Sequence, residues 1–369
     1  MRSEMRTALE PVGWSDEYRV PVINGFEEAS KVLLGGAGWS NNTSSLGKNG
    51  MPSGLPRALV MMDPPDHTRV RSVLSPVFSA RAIERLRPQV IATVNTVLDG
   101  LEDQNEADIV ADFSRVVLVS VMAELFDIGP EDAEFMVRQL RPLLRWLEVG
   151  ATPEDYQESA DAAVKVTRFL TSLIDKRRLE PGSDLISDLL AVGDQLSTDD
   201  IHGICVLVIA PVLDATVNIV ANSTLAILRD PPQIPHLLSD PGRAVEELLR
   251  MEGTSKQLIR AAVADHDLGG RRITKGQVVF IMVRDANRDP SRAPDADRLD
   301  LSRKPLGHLT FGNGPHYCLG AGFTRLVMTE TLVRLFTRFP GLTLTSREPV
   351  WRPSTSFHGL LELPVRLRA

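Results

Sequence analysis

The sequence predicts a mainly α-helical chain with a small β portion, organised as one domain over residues 1–369. Three observations carry that reading. Between Asp66 and Met251, long stretches place apolar residues at three- and four-residue spacing, the period of a helix with one buried face. After Lys256 the pattern changes to short alternating pieces. No internal repeat, low-complexity tract or linker marks a boundary between the two regimes, so continuous helical patterning overrides the two domains that length alone would suggest.

The first sixty residues are mixed: a β signal at "YRVPVI", a helix around "FEEASKVLL", then a loop from Gly35 to Gly54 rich in Gly, Ser and Asn. "SARAIERLRPQVIATVNTVLDGL" opens on a serine cap at Ser79 and ends at Gly100 and Leu101, which predicts one helix. "FSRVVLVSVMAELFDIG" is apolar on nearly every face and predicts a buried helix. The run from Ser197 to Leu228 is the longest of this kind. Ser197 and Asp200 have capping-box spacing at its start, and its all-round apolar character predicts a helix threaded through the core. Pro211, in the middle, removes a backbone donor and predicts a bend there. The β-like pieces are "LIRAAVA", "QVVFIMV", "LTLT" and "LELPVRL", with a hairpin signal at "LGGRRITKGQ" between the first two. A final amphipathic helix is predicted from Leu319 to Arg338.

Composition narrows the function. With 43% hydrophobic and 24% charged residues, the chain is long enough for a large core. A net charge of −7 argues against nucleic acid as a partner, because binding phosphates needs a basic face. Two cysteines, Cys205 in an apolar run and Cys318 in a loop, exclude a disulfide framework and point to a reducing cytoplasm. The N-terminus has no apolar signal region, and no span near twenty apolar residues is read anywhere, so neither secretion nor a membrane anchor is expected.

The chemistry concentrates in "TFGNGPHYCLG", Thr310 to Gly320. A thiolate needs donors or positive potential around it, and Cys318 directly precedes a predicted helix N-terminus, which supplies both. Gly312, Gly314 and Gly320 allow backbone conformations that turn amide N–H groups toward the sulfur. The arrangement suits a nucleophilic cysteine or a thiolate metal ligand. Structural zinc is disfavoured, since it wants four Cys or His ligands and His316 brings the count to two. As a base, His316 is badly placed two residues away in a tight loop.

Those residues resemble the heme-binding signature of the cytochrome P450 superfamily, with Phe311, Gly312, Gly314, His316, Cys318 and Gly320 filling each specified position. The resemblance implies that Cys318 is the proximal thiolate of heme b (iron protoporphyrin IX), that Phe311 shields the proximal side and that His316 bonds a propionate. Further matches follow. "EELLR" resembles the family's ExxR element: Glu247 and Arg250 share a helix face, 68 residues before Cys318, and by themselves would read as a weak surface pair. "ANRDPSRAPDADRLDLSR" resembles the segment that supplies a second arginine, here Arg298, so that Glu247, Arg250 and Arg298 form a buried structural triad. Ala293 replaces the usual aromatic. "DPPDHTRVR" resembles the start of the family's C helix, where His67 and Arg71, four residues apart, contact propionates, and Arg260 matches a third such position. The likeness covers roughly Val20 to Val365, with an N-terminal region shorter than usual. It implies the P450 fold, a triangular helical prism holding heme between the long central helix and the cysteine loop with its following helix.

The departure lies in that central helix. The family pairs an acid with an alcohol there to deliver protons to dioxygen. In "APVLDATVN", Asp214 takes the acid position, Ala215 the alcohol position, and Thr216 falls one residue late, about 100° round the helix. Val212 and Leu213 are expected to face an apolar pocket, together with the Ser40–Pro56 loop, the segment around Arg141–Ala151 and Phe357 near the C-terminus. Trp146 and Met136 are read as core. The resemblance implies a soluble, cytoplasmic, bacterial-type heme-thiolate monooxygenase hydroxylating a small or mid-sized apolar metabolite, in secondary metabolism. Electrons come from a ferredoxin and ferredoxin reductase or a similar donor, since two cysteines cannot hold an iron–sulfur cluster. Because Ala215 lacks a hydroxyl, coupling, cyclisation or desaturation without oxygen insertion is the alternative. A non-catalytic heme sensor or carrier, and a cysteine hydrolase without heme, are rival classes.

Overall fold

The computed structural model describes residues 10–42, 52, 54–56 and 58–368. The chain divides into two compact units, each made of two separated stretches: Met1–Gly50 with Arg243–Cys318, and Met51–Gly242 with Leu319–Ala369. Most of the Ser40–Pro56 loop expected to touch substrate lies outside the described residues.

The first unit is organised around a five-stranded sheet. In spatial order its strands are Val12–Ser15, Val20–Ile23, Val278–Ile281, Leu258–Ala262 and Trp39–Ser40. Val20–Ile23 runs parallel to Val278–Ile281, with Val22 opposite Phe280; the other pairings are antiparallel. Ile23, Val279 and Ile281 are fully buried and pack with Ala29, Val32 and Leu33 of the helix Phe26–Leu34. That helix starts where Asp289 accepts a hydrogen bond from the Phe26 amide at 2.8 Å. The predicted hairpin forms from His266–Leu268 and Arg271–Ile273, and its turn needs Gly269 and Gly270, both at positive φ (55° and 77°).

The second unit is helical, with a three-stranded sheet (Glu106–Asp108, Pro364–Arg366, Thr343–Leu344) and a strand pair, Val350–Trp351 with Leu360–Glu362. The predicted helix after Ser79 is two helices. Ser79 caps Ala80–Glu84, and a second begins at Arg87, where Pro88, lacking an N–H, suits a first turn. The last helix starts at Ala321, two residues later than predicted.

The core helix spans Thr198–Arg229, with Ser197 and Asp200 forming the capping box. By length and apolar composition it passes for a membrane span, contrary to the sequence reading that none exists; most of it is buried within the protein. Its bend takes a specific form. After Pro211 the helix widens into a π-helical turn over Val212–Thr216. The turn leaves backbone carbonyls to be satisfied by side chains: the Thr216 hydroxyl donates to the Pro211 carbonyl at 3.3 Å, and the Asn218 amide donates to that of Asp214 at 2.9 Å. Thr216 and Asn218 are buried. Replacing Thr216 with the isosteric valine removes this part-buried hydrogen bond, and a loss of about 0.5–1.5 kcal/mol is predicted in denaturant unfolding.

Candidate functional site

The cysteine loop closes on itself. The Gly312 amide donates to Leu309 at 2.8 Å, Tyr317 to Gly314 at 3.0 Å and Cys318 to Phe311 at 2.9 Å. Gly312 and Gly314 both lie in the left-handed region, φ 70° and 69°. At Gly314 a Cβ would sit 2.5 Å from the Leu33 carbonyl oxygen, so a side chain is excluded by space as well as by backbone conformation. Gly320 differs: its φ of −80° lies outside the left-handed region and is open to any residue. Asn313 accepts from the Gly314 amide at 2.8 Å and donates to Ser30 at 3.0 Å, which fixes the loop to the first helix. Phe311 is buried, edge-on to Tyr317; Cys318 is half-buried and His316 partly exposed.

Behind the loop lies a buried charge network. Glu247 and Arg250 are both almost wholly buried, and the guanidinium donates twice to the carboxylate, each bond 2.7 Å. Its remaining nitrogen donates to the carbonyls of Asn287, at 2.7 Å, and Ala296. The second arginine on Glu247 is Arg303, at 3.2 Å, and not Arg298. Arg298 is exposed and turns only its carbonyl toward Arg250, at 3.4 Å. Arg303 is held in place by Asp295 at 2.8 Å; that hydrogen bond, with the Glu247 charge, raises its pKa further despite its burial.

Asn287 was not singled out by sequence reasoning, although it stands in the quoted "ANRDP". It is buried, and its amide links the network to the loop, donating to the Arg250 carbonyl at 3.2 Å and to the Thr310 hydroxyl at 3.0 Å. Its oxygen accepts the Leu309 amide at 2.7 Å. Thr310 in turn donates to Leu249 at 2.6 Å. The available signal was an amide directly after the apolar run Val278–Val283 and one helical turn, a place where a polar side chain is buried only if it is hydrogen-bonded.

Arg260 is buried on its strand, its guanidinium donating to the Ile259 carbonyl at 2.8 Å. In the second unit His67 is buried one turn before Arg71 on the helix Asp66–Leu74. Burial, then the Arg71 charge, push its pKa below the usual histidine value.

Between Ile201 and Leu225 the core-helix residues that are not buried form one stripe: Leu207, Val208, Pro211, Asp214 and Ala215. Their spacing of three and four is a single helical face. Val212 and Leu213, like Thr216, are buried off this stripe, and Pro211 is its most exposed member. Met136 is core as read, and Trp146 is half-buried. Phe357 is half-buried beneath the Arg352 guanidinium, 5.5 Å above its ring. Arg352 donates to Asp214 at 2.7 Å.

The donor set decides what the site can hold. Among the described residues no three His, Cys, Asp or Glu side chains come together as metal ligands. A single thiol on a rigid loop therefore fits a metal that brings its own equatorial ligands and does not fit a protein-only site. In the first unit the buried Arg260, and in the second the half-buried Arg71 with the buried His67, each carry donors of the kind that bond a carboxylate.

A family profile described as Cytochrome P450 matches residues 242–367. Cytochrome P450 monooxygenase PikC of Streptomyces venezuelae is 32% identical over 363 residues, 94% of this chain and 85% of that protein. The chain belongs to the cytochrome P450 family. This P450 is also 34% identical to 6-deoxyerythronolide B hydroxylase of Saccharopolyspora erythraea, over 83% of its own length and 76% of the relative's. Its fold matches P450BioI, solved in complex with hexadec-9Z-enoic acid ligated acyl carrier protein, with a TM-score of 0.91 at 31% identity, covering 96% of this chain and 95% of that one. The protein is thus a heme b-dependent P450 oxidoreductase of the mainly α P450 fold, and its matching relatives include monooxygenases and hydroxylases.

The corrected network makes a graded prediction. Arg250→Ala strands the buried Glu247 carboxylate and costs about 3–5 kcal/mol in equilibrium unfolding. Arg303→Ala costs less, because Arg250 still covers Glu247, and Arg298→Ala leaves the midpoint where it was.

Proposed function

We propose that this P450 inserts one oxygen atom from dioxygen into a small or mid-sized apolar metabolite of secondary metabolism, with electrons from a separate ferredoxin-type donor. The observation that carries the substrate class is the open stripe of the core helix. It is apolar at Leu207, Val208, Pro211 and Ala215, and its single polar residue, Asp214, is already paired to Arg352. Such a surface rewards burial of an apolar body and offers few polar anchors. Relatives named as a monooxygenase and a hydroxylase support the reaction class.

In this reading Cys318 is the thiolate ligand, with Phe311, Gly312, Gly314 and Gly320 shaping its loop. His67, Arg71, Arg260 and His316 hold the propionates. Thiolate-ligated heme supplies reductive activation of dioxygen. The chain's part is to hold the cofactor, exclude water and move protons. His67 acts as a hydrogen-bond donor, and the arginines supply the countercharge. Asp214 is the acid that relays protons. Ala215 has no hydroxyl, and that of Thr216 is committed to the Pro211 carbonyl, so a substrate hydroxyl or an ordered water completes the relay.

The missing hydroxyl also favours a second reading, hydrogen abstraction without insertion, giving coupling, ring closure or desaturation. Turnover under labelled dioxygen, with compounds selected because they shift the heme spectrum, separates the two. One labelled atom per product is expected. Unlabelled dehydrogenated or coupled products contradict insertion. In the same assay Ala215→Thr leaves the product-to-peroxide ratio of a hydroxyl-bearing substrate unchanged. A wild type that yields only peroxide while the variant becomes productive overturns the substitute-hydroxyl account. Cys318→Ser is predicted to lose the red-shifted Soret band of the ferrous–carbonyl complex.

A further inference from the structure

The C-terminal loop 352–359 is sewn along one face of the core helix. Asp214, Asn218 and Asn222 stand four residues apart and each meets the loop. Arg352 donates to Asp214 at 2.7 Å, and Asn222 donates to the His358 carbonyl at 3.1 Å. Gly359 lies so close to Asn218 that a Cβ would be 2.3 Å from its side-chain oxygen. On its other side the loop grips Glu148. The carboxylate accepts from the Ser354 hydroxyl (2.6 Å), from the Thr355 amide and hydroxyl (2.9 Å each) and from the Ser356 amide (3.1 Å). Arg352 also reaches Glu148, at 3.5 Å. One mostly buried guanidinium therefore stands between two carboxylates, one on the open stripe and one in the loop's cradle.

From this geometry we infer that Arg352 is a positioning residue for Asp214, holding its carboxylate on the open stripe, and that Glu148 opposes it by sharing the same guanidinium. The inference rests on the reading of Asp214 as the proton-relaying acid, although its test does not. Each group's ionisation is consistent with its place. Burial raises Asp214 above the usual carboxylate range, against the pull of Arg352 and, more weakly, Arg141 at the end of the helix Pro130–Leu144, and with a push from Glu148. Glu148 is held below its usual value: burial works against its charge, but hydrogen bonds from Ser354, Ser356 and Thr355 and the Arg352 charge outweigh it. The helix Arg115–Phe126, also packed on the π-helical turn, carries Arg115 and Glu124 as its charged residues, and both are exposed.

The two partners thus act on Asp214 with opposite sign, which a purely structural role would not produce. The test is an infrared titration of the heme-loaded protein, following the protonated-carboxyl band that is absent in Asp214→Asn. Arg352→Gln removes the attraction and should move the midpoint up by about one pH unit or more. Arg352→Lys should restore part of the shift, as a point charge without the planar fork. Glu148→Gln removes the repulsion and frees the guanidinium, so the midpoint should move down. Shifts of the same sign in both variants, or none in Arg352→Gln, overturn the assignment. Should Arg352→Gln fail to fold, the opposed shifts of Arg352→Lys upward and Glu148→Gln downward decide it alone. If the midpoints move as stated but the pH profile of product formation does not follow them, the assignment of Arg352 stands and the relay role of Asp214 falls.

Discussion

A guanidinium buried at Arg250 has to spend every donor on an acceptor, since an unpaired charge at that depth is far costlier than the pair it forms. The cysteine loop is built on how that requirement is met. Two donors go to Glu247, and the rest go to backbone carbonyls at Asn287, Ala296 and Arg298. Asn287, anchored by Arg250, spends its own side chain on Leu309 and Thr310, the residues that lead into the loop. The two left-handed glycines then bend the chain so that the Cys318 amide returns to the Phe311 carbonyl. Each step passes a hydrogen-bonding obligation to the next residue along. The thiol ends on a loop whose backbone has little freedom left, as a ligand to a fixed cofactor requires.

A second obligation shapes the core helix. Pro211 cannot donate, and the chain answers by widening one turn and spending side chains on the carbonyls that result. The cost falls on Thr216, whose hydroxyl becomes a structural donor. Ala215 is left on the open stripe with no hydroxyl, beside an acid whose nearest partner is the loop guanidinium Arg352.

What could be read beforehand was local. Period, caps and turn glycines marked the Ser197–Asp200 box, the Gly269–Gly270 hairpin and the cysteine loop, because each is decided within a few residues. Choices made across the chain were not legible. Arg298 and Arg303 stand in the same loop with the same chemistry, and nothing nearby says which will face Glu247. That depends on the Ala296 carbonyl taking the Arg250 donor and on Asp295 steering Arg303. The pairing of Asp214 with Arg352 joins residues 138 positions apart and leaves no periodic trace. The width of the turn after Pro211 was hidden for a different reason: a proline announces a break but not how the freed carbonyls will be satisfied.

In the proposed function the Arg250–Asn287 network holds Cys318 in position as the thiolate ligand. The ferrous–carbonyl spectrum of Asn287→Ala, measured on protein that retains heme, tests it most directly. The account predicts that the red-shifted Soret band of thiolate ligation gives way, in part or whole, to the shorter-wavelength band of a lost or protonated thiolate. A spectrum identical to wild type would contradict it.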